Sequence, residues 1–165
     1  MVFDGSAPGE PIRALHGVNG GPLAAGGLLD LSPRWKEAAF PLARLHDSHF
    51  PNPDVVDVHA VFHYHNADPA KTESYDFDRT DEYVKAVHDC VAGIVYRLGE
   101  SIEHQKAKRH VRPPKDFDKW AAVCAGIVRH YTQGWAKGHK LPITYWEIWN
   151  EPDNRPHCWT GNDDE

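Results

Sequence analysis

No run of apolar residues in this sequence approaches the ~20 that a membrane-spanning helix needs, so a membrane is not an expected partner. Cysteine is scarce. Cys90, Cys124 and Cys158 are three, widely spaced and without a CxxC pair, which argues against both a zinc knuckle and a disulfide framework. Cys90 and Cys124 fall in helical patterns and are expected to be buried thiols. Positive charge is also short: 18 Lys+Arg against 24 Asp+Glu leave a net charge of -6. That balance argues against nucleic acid as the main partner, because phosphate binding needs a basic face. The one basic stretch, His104, Lys106, Lys108, Arg109, His110 and Arg112, is expected to be a solvated loop. Met1-Val-Phe-Asp lacks the basic and apolar regions of a secretory signal, so the default expectation is a cytoplasmic protein. Internal repeats and low-complexity tracts are missing as well.

What remains is an ordinary globular composition, 41% hydrophobic and 25% charged, in which strand and helix patterns alternate. Ile12 to Val18 is a short apolar run closed by the turn Asn19-Gly20-Gly21-Pro22. Leu31 to Phe40 is expected as a helix, with Ser32 as N-cap and Pro33 at the first helical position. Leu42 to His46 is a second strand. Val55 to Phe62, rich in β-branched residues, is expected to be extended. Asp76 to Val91 is the next helix, with Thr80 as N-cap or a start two residues earlier, supported by Glu82 and Lys85. Gly93 to Gly99 is a third strand, and Ser101 to Pro114 a loop. Between Asp116 and Trp135 the spacing of Phe117, Trp120, Ala121, Val123, Cys124, Ile127, Val128 and Tyr131 predicts a helix with one buried stripe. Pro142 to Trp149 is a fourth strand.

Strands alternating with helices point to a parallel sheet covered by helices, an α/β fold. Four such units cannot close a barrel, and a full (β/α)8 barrel takes about 250 residues. The expectation is therefore that residues 1–165 form the amino-terminal half of a barrel, truncated, with strands one and four as open edges.

Chemistry concentrates in Tyr145-Trp-Glu-Ile-Trp-Asn-Glu-Pro-Asp153. It places polar and acidic groups where a parallel strand opens onto its carboxyl-terminal face, the face on which barrel enzymes keep their catalytic groups. Pro152 cannot donate to a sheet and stops the strand just past Glu151. Trp146, Trp149 and Trp159 are candidates to desolvate a carboxyl group and raise its pKa, which suits an acid that must protonate a leaving oxygen. Tryptophan faces also suit the apolar faces of sugar rings.

Trp149-Asn150-Glu151-Pro152 resembles the strand-four signature of the retaining (β/α)8 glycosidase superfamily. The longer Trp-Glu-Ile-Trp-Asn-Glu-Pro-Asp form is most similar to family 39 glycoside hydrolases, the β-xylosidase and α-iduronidase family. Tyr75-Asp76-Phe77-Asp78, Tyr96-Arg97-Leu98-Gly99-Glu100, Lys115-Asp116-Phe117-Asp118-Lys119-Trp120, Arg129-His130-Tyr131 and Trp159-Thr160-Gly161 resemble that family in order, so the likeness covers most of Ile12 to Glu165. It implies an O-glycoside hydrolase with no cofactor and with a glycoside or oligosaccharide as substrate. Glu151 would be the catalytic acid/base, and Asn150 would hydrogen-bond the sugar 2-hydroxyl. Trp149, Trp159 and His46 would line the sugar site. The nucleophile would be a second Glu at the end of strand seven, about 5 Å away, which falls outside this sequence. Glu147 and Glu100 do not match it by motif. A non-catalytic carbohydrate-binding remnant of such a barrel is the alternative.

Other polar residues have weaker claims. Glu147 is expected to be a structural carboxylate, and Arg97 is as open to a structural role as to a site role. Asn19 and Gly17 end the first strand, where a simple turn competes with a ligand contact. The 12 histidines include His59, His63 and His65, which alternate along the supposed extended segment beyond His46 and His49. Alternate histidines can bind zinc, but no nearby carboxylate or cysteine completes a set in the sequence, so no metal site is expected.

Overall fold

Four short parallel strands form the sheet that organises this chain, in a computed structural model that describes residues 14–46, 48, 54–143, 145–162 and 164. In chain order they are β1 (Val18–Asn19), β4 (Ala43–Leu45), β5 (Ile94–Leu98) and β6 (Tyr145–Ile148). The sheet order is β1-β4-β5-β6, so each parallel strand pairs with the next parallel strand along the chain. Between β1 and β4 lie an antiparallel pair, β2 (Leu23–Ala24) and β3 (Leu29–Asp30), and helix α1 (Ser32–Ala38). Helices α2 (Val58–Val61) and α3 (Asp78–His88) connect β4 to β5, and α4 (Phe117–Gln133) connects β5 to β6. The fold is α/β with a parallel sheet, wound in one direction without a switch point.

The register divides the sheet into two chemically different faces. Ala43, Leu45, Ile94, Tyr96 and Leu98 point to one side and are 0–3% exposed. They pack against Trp35 of α1, Tyr83, Val84 and Val87 of α3, and Val123, Cys124, Ile127 and Tyr131 of α4. Asn19, Arg44, Val95, Arg97, Tyr145 and Glu147 share the opposite face, which is mostly polar and, among the described residues, carries no helix. At the edge, Ile148 belongs to the helix-side face yet is 64% exposed.

Helix α4 follows the sequence closely. The Asp116 side chain accepts from the Lys119 N–H at 2.9 Å, satisfying a free donor of the first turn, and Gly134 closes the helix in the left-handed region at φ 77°. Its buried stripe runs through Val123, Cys124, Ile127 and Tyr131, whereas Phe117 is 48% exposed.

Several local expectations need correction. Val55 to Phe62 is not extended: residues 54–57 turn and Val58–Val61 is helical. The buried residues Val58, Val61 and Phe62 fall at helical spacing, and burial of that face outweighs the β preference of valine. Ser32 is inside α1 rather than its cap. The residue before it, Leu31, has no side-chain acceptor, and Asp30 Oδ1 takes the Ser32 N–H at 2.8 Å instead. Of the two starts expected for α3, the earlier one holds: the helix begins at Asp78, and the Thr80 hydroxyl, inside it, donates to the Val55 carbonyl at 2.6 Å. Glu82 pairs with Arg79 at 3.2 Å, not with Lys85. The first strand is displaced toward Asn19, with Leu15 79% exposed, and Ile12 and Arg13 lie outside the described residues. All three cysteines are buried and none is in a disulfide.

Candidate active site

The segment after β6 turns sharply because its backbone enters the left-handed region twice, at Trp149 (φ 64°) and Glu151 (φ 43°). Neither is glycine, so each costs about 1–2 kcal/mol. The Trp149 N–H continues the ladder to the Leu98 carbonyl at 2.7 Å. Only a glycine at position 99 permits this approach, since a Cβ there would lie 2.7 Å from Trp149 Cα. The consequence is that Trp149, Asn150 and Glu151 point in different directions.

Asn150 is buried, 2% exposed. Its amide oxygen accepts from Arg44 Nη2 at 2.7 Å, and its amide nitrogen faces Cys158 Sγ at 3.4 Å. Arg44 also grips Glu147 through Nε to Oε2 and Nη2 to Oε1, both at 2.6 Å. Asn19 Oδ1 lies 3.4 Å from Arg44 Nη1, while Asn19 Nδ2 donates to the His46 carbonyl at 3.2 Å. A polar network thus spans β1, β4 and β6 on the helix-free face. The hydrogen bonds from Arg44 hold the Glu147 carboxyl below the usual carboxylate range, against partial burial, with the charge of Arg44 adding to the effect. Glu147 is ion-paired with Arg44 and only part-buried, not buried. His46 is buried at the end of β4.

Glu151 is exposed to solvent; Asn154 Nδ2 donates to its Oε2 at 3.0 Å, and Cys158 Sγ lies 3.9 Å from the same oxygen. The expected covering by tryptophans is not present. Trp146 points to the helix side and packs on Tyr96 at 5.3 Å. Trp149 and Trp159 are buried against one another, edge to face at 4.8 Å, and Trp149 Nε1 donates to the Cys158 carbonyl at 2.7 Å. Both line an apolar cavity of about 520 Å³ with Trp120, Phe117, Pro114 and Pro152. Glu151 does not line this cavity. The structure therefore joins Arg44, Asn150 and Glu147 in one network and Trp149 with Trp159 in one wall, while Glu151 stands at the solvent side of both.

The sequence reading missed a second polar centre in the loops after β4 and β5. His59, on α2, sits between Glu100 Oε2, which contacts its Nδ1, and Asp54 Oδ2, 3.1 Å from its Nε2. The His110 ring stacks on it, centroids 3.6 Å apart. Beneath them Asp57 is ion-paired with the fully buried Arg97 and accepts from Ser101 N–H at 2.7 Å. Arg97 is therefore structural. Burial disfavours charge on His59, but hydrogen bonds to Asp54 and Glu100 win and push its imidazole up to about 10. Burial raises the Glu100 carboxyl, with His59 opposing and Asp57 reinforcing. The expectation that no nearby carboxylate completes a set with these histidines is overturned for His59, which Glu100 and His110 join. His63 is separate, 3.5 Å from Asp76. The 104–112 stretch is a loop with His104, Lys106, Arg109 and Arg112 exposed, as expected, but His110 is half-buried in this centre. The pairing of His59 with Glu100 joins residues 41 positions apart, beyond any local spacing rule.

Among known proteins, no protein-family model matches the sequence, and no curated protein matches it. A solved structure does: the crystal structure of a glucosidase from Croceicoccus marinus, at 30% identity and a TM-score of 0.78. The match covers 94% of this chain and 32% of that one. Over almost all of its own length, the chain is similar to about a third of a glucosidase.

Proposed function

We propose that this chain supplies the first four βα units of a (β/α)8 glycoside hydrolase that works with retention, with Glu151 as acid/base. The observation that carries the reading is the position of Glu151 past the carboxyl end of the fourth parallel strand, next to an Asn150 fixed by Arg44. Consecutive parallel strands with helices on one face are the arrangement of a barrel wall. The polar, helix-free face would be its lumen, and the exposed Ile148 would lie under the next helix. The likeness to a glucosidase supports the class of reaction. The longer motif favours family 39.

In such a barrel, Glu151 protonates the departing oxygen and later takes a proton from water. Its exposure here suits a group that meets substrate and water in turn. Asn150 is held by Arg44 through its amide oxygen, so its amide nitrogen, now facing Cys158 Sγ, is the atom that would meet the sugar 2-hydroxyl; His46 would stand in the wall, and Trp149 and Trp159 would offer an apolar face set apart from Glu151. A second carboxylate must be the nucleophile. Glu147 is unsuited, because Arg44 occupies both its oxygens.

Trapping tests this division of labour. A 2-fluoro glycoside with a good leaving group should label one carboxylate in a completed barrel carrying this sequence. Mass spectrometry should find the sugar on a residue other than Glu151 or Glu147. A sugar ester on Glu151 would show it to be the nucleophile and overturn the assignment.

A further inference from the structure

The centre around His59 has no part in the reading above, and its donors are of a different kind. One ligating atom each from His59, Glu100 and His110 lies within 4.8 Å of the others. We propose that His59, Glu100 and His110 form a binding site for one divalent transition-metal ion, zinc first among them, with Asp54 orienting His59.

Two imidazoles and one carboxylate are the protein ligands of open zinc sites, which leave a further position for water. Mixed nitrogen and oxygen donors favour such an ion over calcium or magnesium, which prefer oxygen alone. The place for the ion is the contact between His59 Nδ1 and Glu100 Oε2, where a cation would take the place of their direct hydrogen bond. The other ring nitrogen, Nε2, already faces Asp54 Oδ2 at 3.1 Å. Metal-bound imidazoles characteristically give their second N–H to such a carboxylate. Glu100 is 5% exposed, and the neighbouring Asp57 is taken up by Arg97 and Ser101, so Glu100 depends on the His59 side for its countercharge.

The third ligand is held ready by its backbone. Glu103 Oε2 accepts from three successive amides, Arg109 at 2.8 Å, His110 at 3.0 Å and Val111 at 3.3 Å, which fixes the loop beside His59. The imidazole of His110 must still turn. Lone pairs lie in the ring plane, so two rings stacked within 13° of parallel cannot both point at one ion. The cavity of about 730 Å³ that both histidines line gives the ring room to turn and the ion a way in. A second cluster, Asp81, His130 and His139, lacks these features. His130 is 1% exposed and lies flat on Phe77 at 3.5 Å, which makes it part of the core.

The test uses the full chain, freed of metal by chelation and titrated with zinc alone by calorimetry, then with cobalt(II) for its visible absorption. One equivalent of zinc should bind, and cobalt(II) should give the intense bands of a low-coordinate site. His110→Ala, at a half-buried loop position, should abolish the stoichiometric site while the circular dichroism stays native. Asp54→Asn should weaken binding about 10–100-fold, as loss of an orienting carboxylate does. His139→Ala and His63→Ala should change nothing. Should His59→Gln fail to fold, His110→Ala and Asp54→Asn still decide. Absence of stoichiometric uptake, or uptake that survives His110→Ala, overturns the proposal. So does loss on His139→Ala alone. Neither result bears on the role of Glu151.

Discussion

The Arg44 guanidinium donates to the Asn150 amide oxygen at 2.7 Å while gripping Glu147 with two further hydrogen bonds. One cation thereby fixes the last buried residue before Glu151 and neutralises the carboxylate two positions before the turn. Arg44→Ala should release both. The Glu147 carboxyl should then titrate closer to its ordinary value, as read by carbon-13 NMR. The sign follows from the lowered native value: the contribution of Glu147 to stability is present above its unfolded pKa and lost as pH falls through the native one. The acid limb of the melting curve should therefore be shallower in Glu147→Gln than in the wild type.

The two faces of the sheet should respond differently to substitution. Leu45 is fully buried among the helices, and Leu45→Ala should cost roughly 2–5 kcal/mol in denaturant unfolding. Ile148 is 64% exposed, and Ile148→Ser should stay within about 0.5 kcal/mol in the isolated chain. In a completed barrel the same change should cost several times more, because the next helix would cover it. Equal small effects in both settings would contradict the barrel arrangement.

Backbone strain at Glu151 gives a separate expectation. Glycine adopts φ 43° without the clash that a Cβ brings. Glu151→Gly should raise stability by up to about 1 kcal/mol, after the extra chain entropy of glycine is set against the relieved strain. Thermal melts of Glu151→Gly and Glu151→Ala separate backbone relief from loss of the carboxylate. A site that holds strain at the residue it needs exchanges stability for geometry.

Much of this organisation was legible in the residues themselves. The stripe of α4, with Asp116 before it and Gly134 after it, contains its own start, face and stop. The strands β4, β5 and β6 are apolar runs bounded by polar turns. Val55 to Phe62 was not legible, because so short an apolar run fits both periods and its partners are far away in sequence. The β2–β3 pair, two residues a strand, leaves almost no pattern. In the site, the strand-end motif marked Asn150 and Glu151, but their surroundings come from Arg44 and Cys158, and no spacing rule links Arg44 to a residue 106 positions later. The tryptophans were expected around Glu151 because they neighbour it in sequence. Strand alternation sends Trp146 to the helix side, and left-handed backbone at Trp149 turns that ring away from Glu151.

The role of Glu151 is decided by Glu151→Ala in a completed barrel, assayed on two kinds of glycoside with and without azide. Alkyl and sugar leaving groups need a proton and should lose about 10³-fold or more in rate, roughly 4 kcal/mol. A nitrophenyl leaving group needs little help, so its glycosyl-enzyme should form and accumulate. Azide, which attacks without a base, should then restore turnover and give a glycosyl azide of retained configuration. Glu147→Ala should show no such rescue. Equal losses on every leaving group, with nothing restored by azide, would contradict the assignment of Glu151 as acid/base.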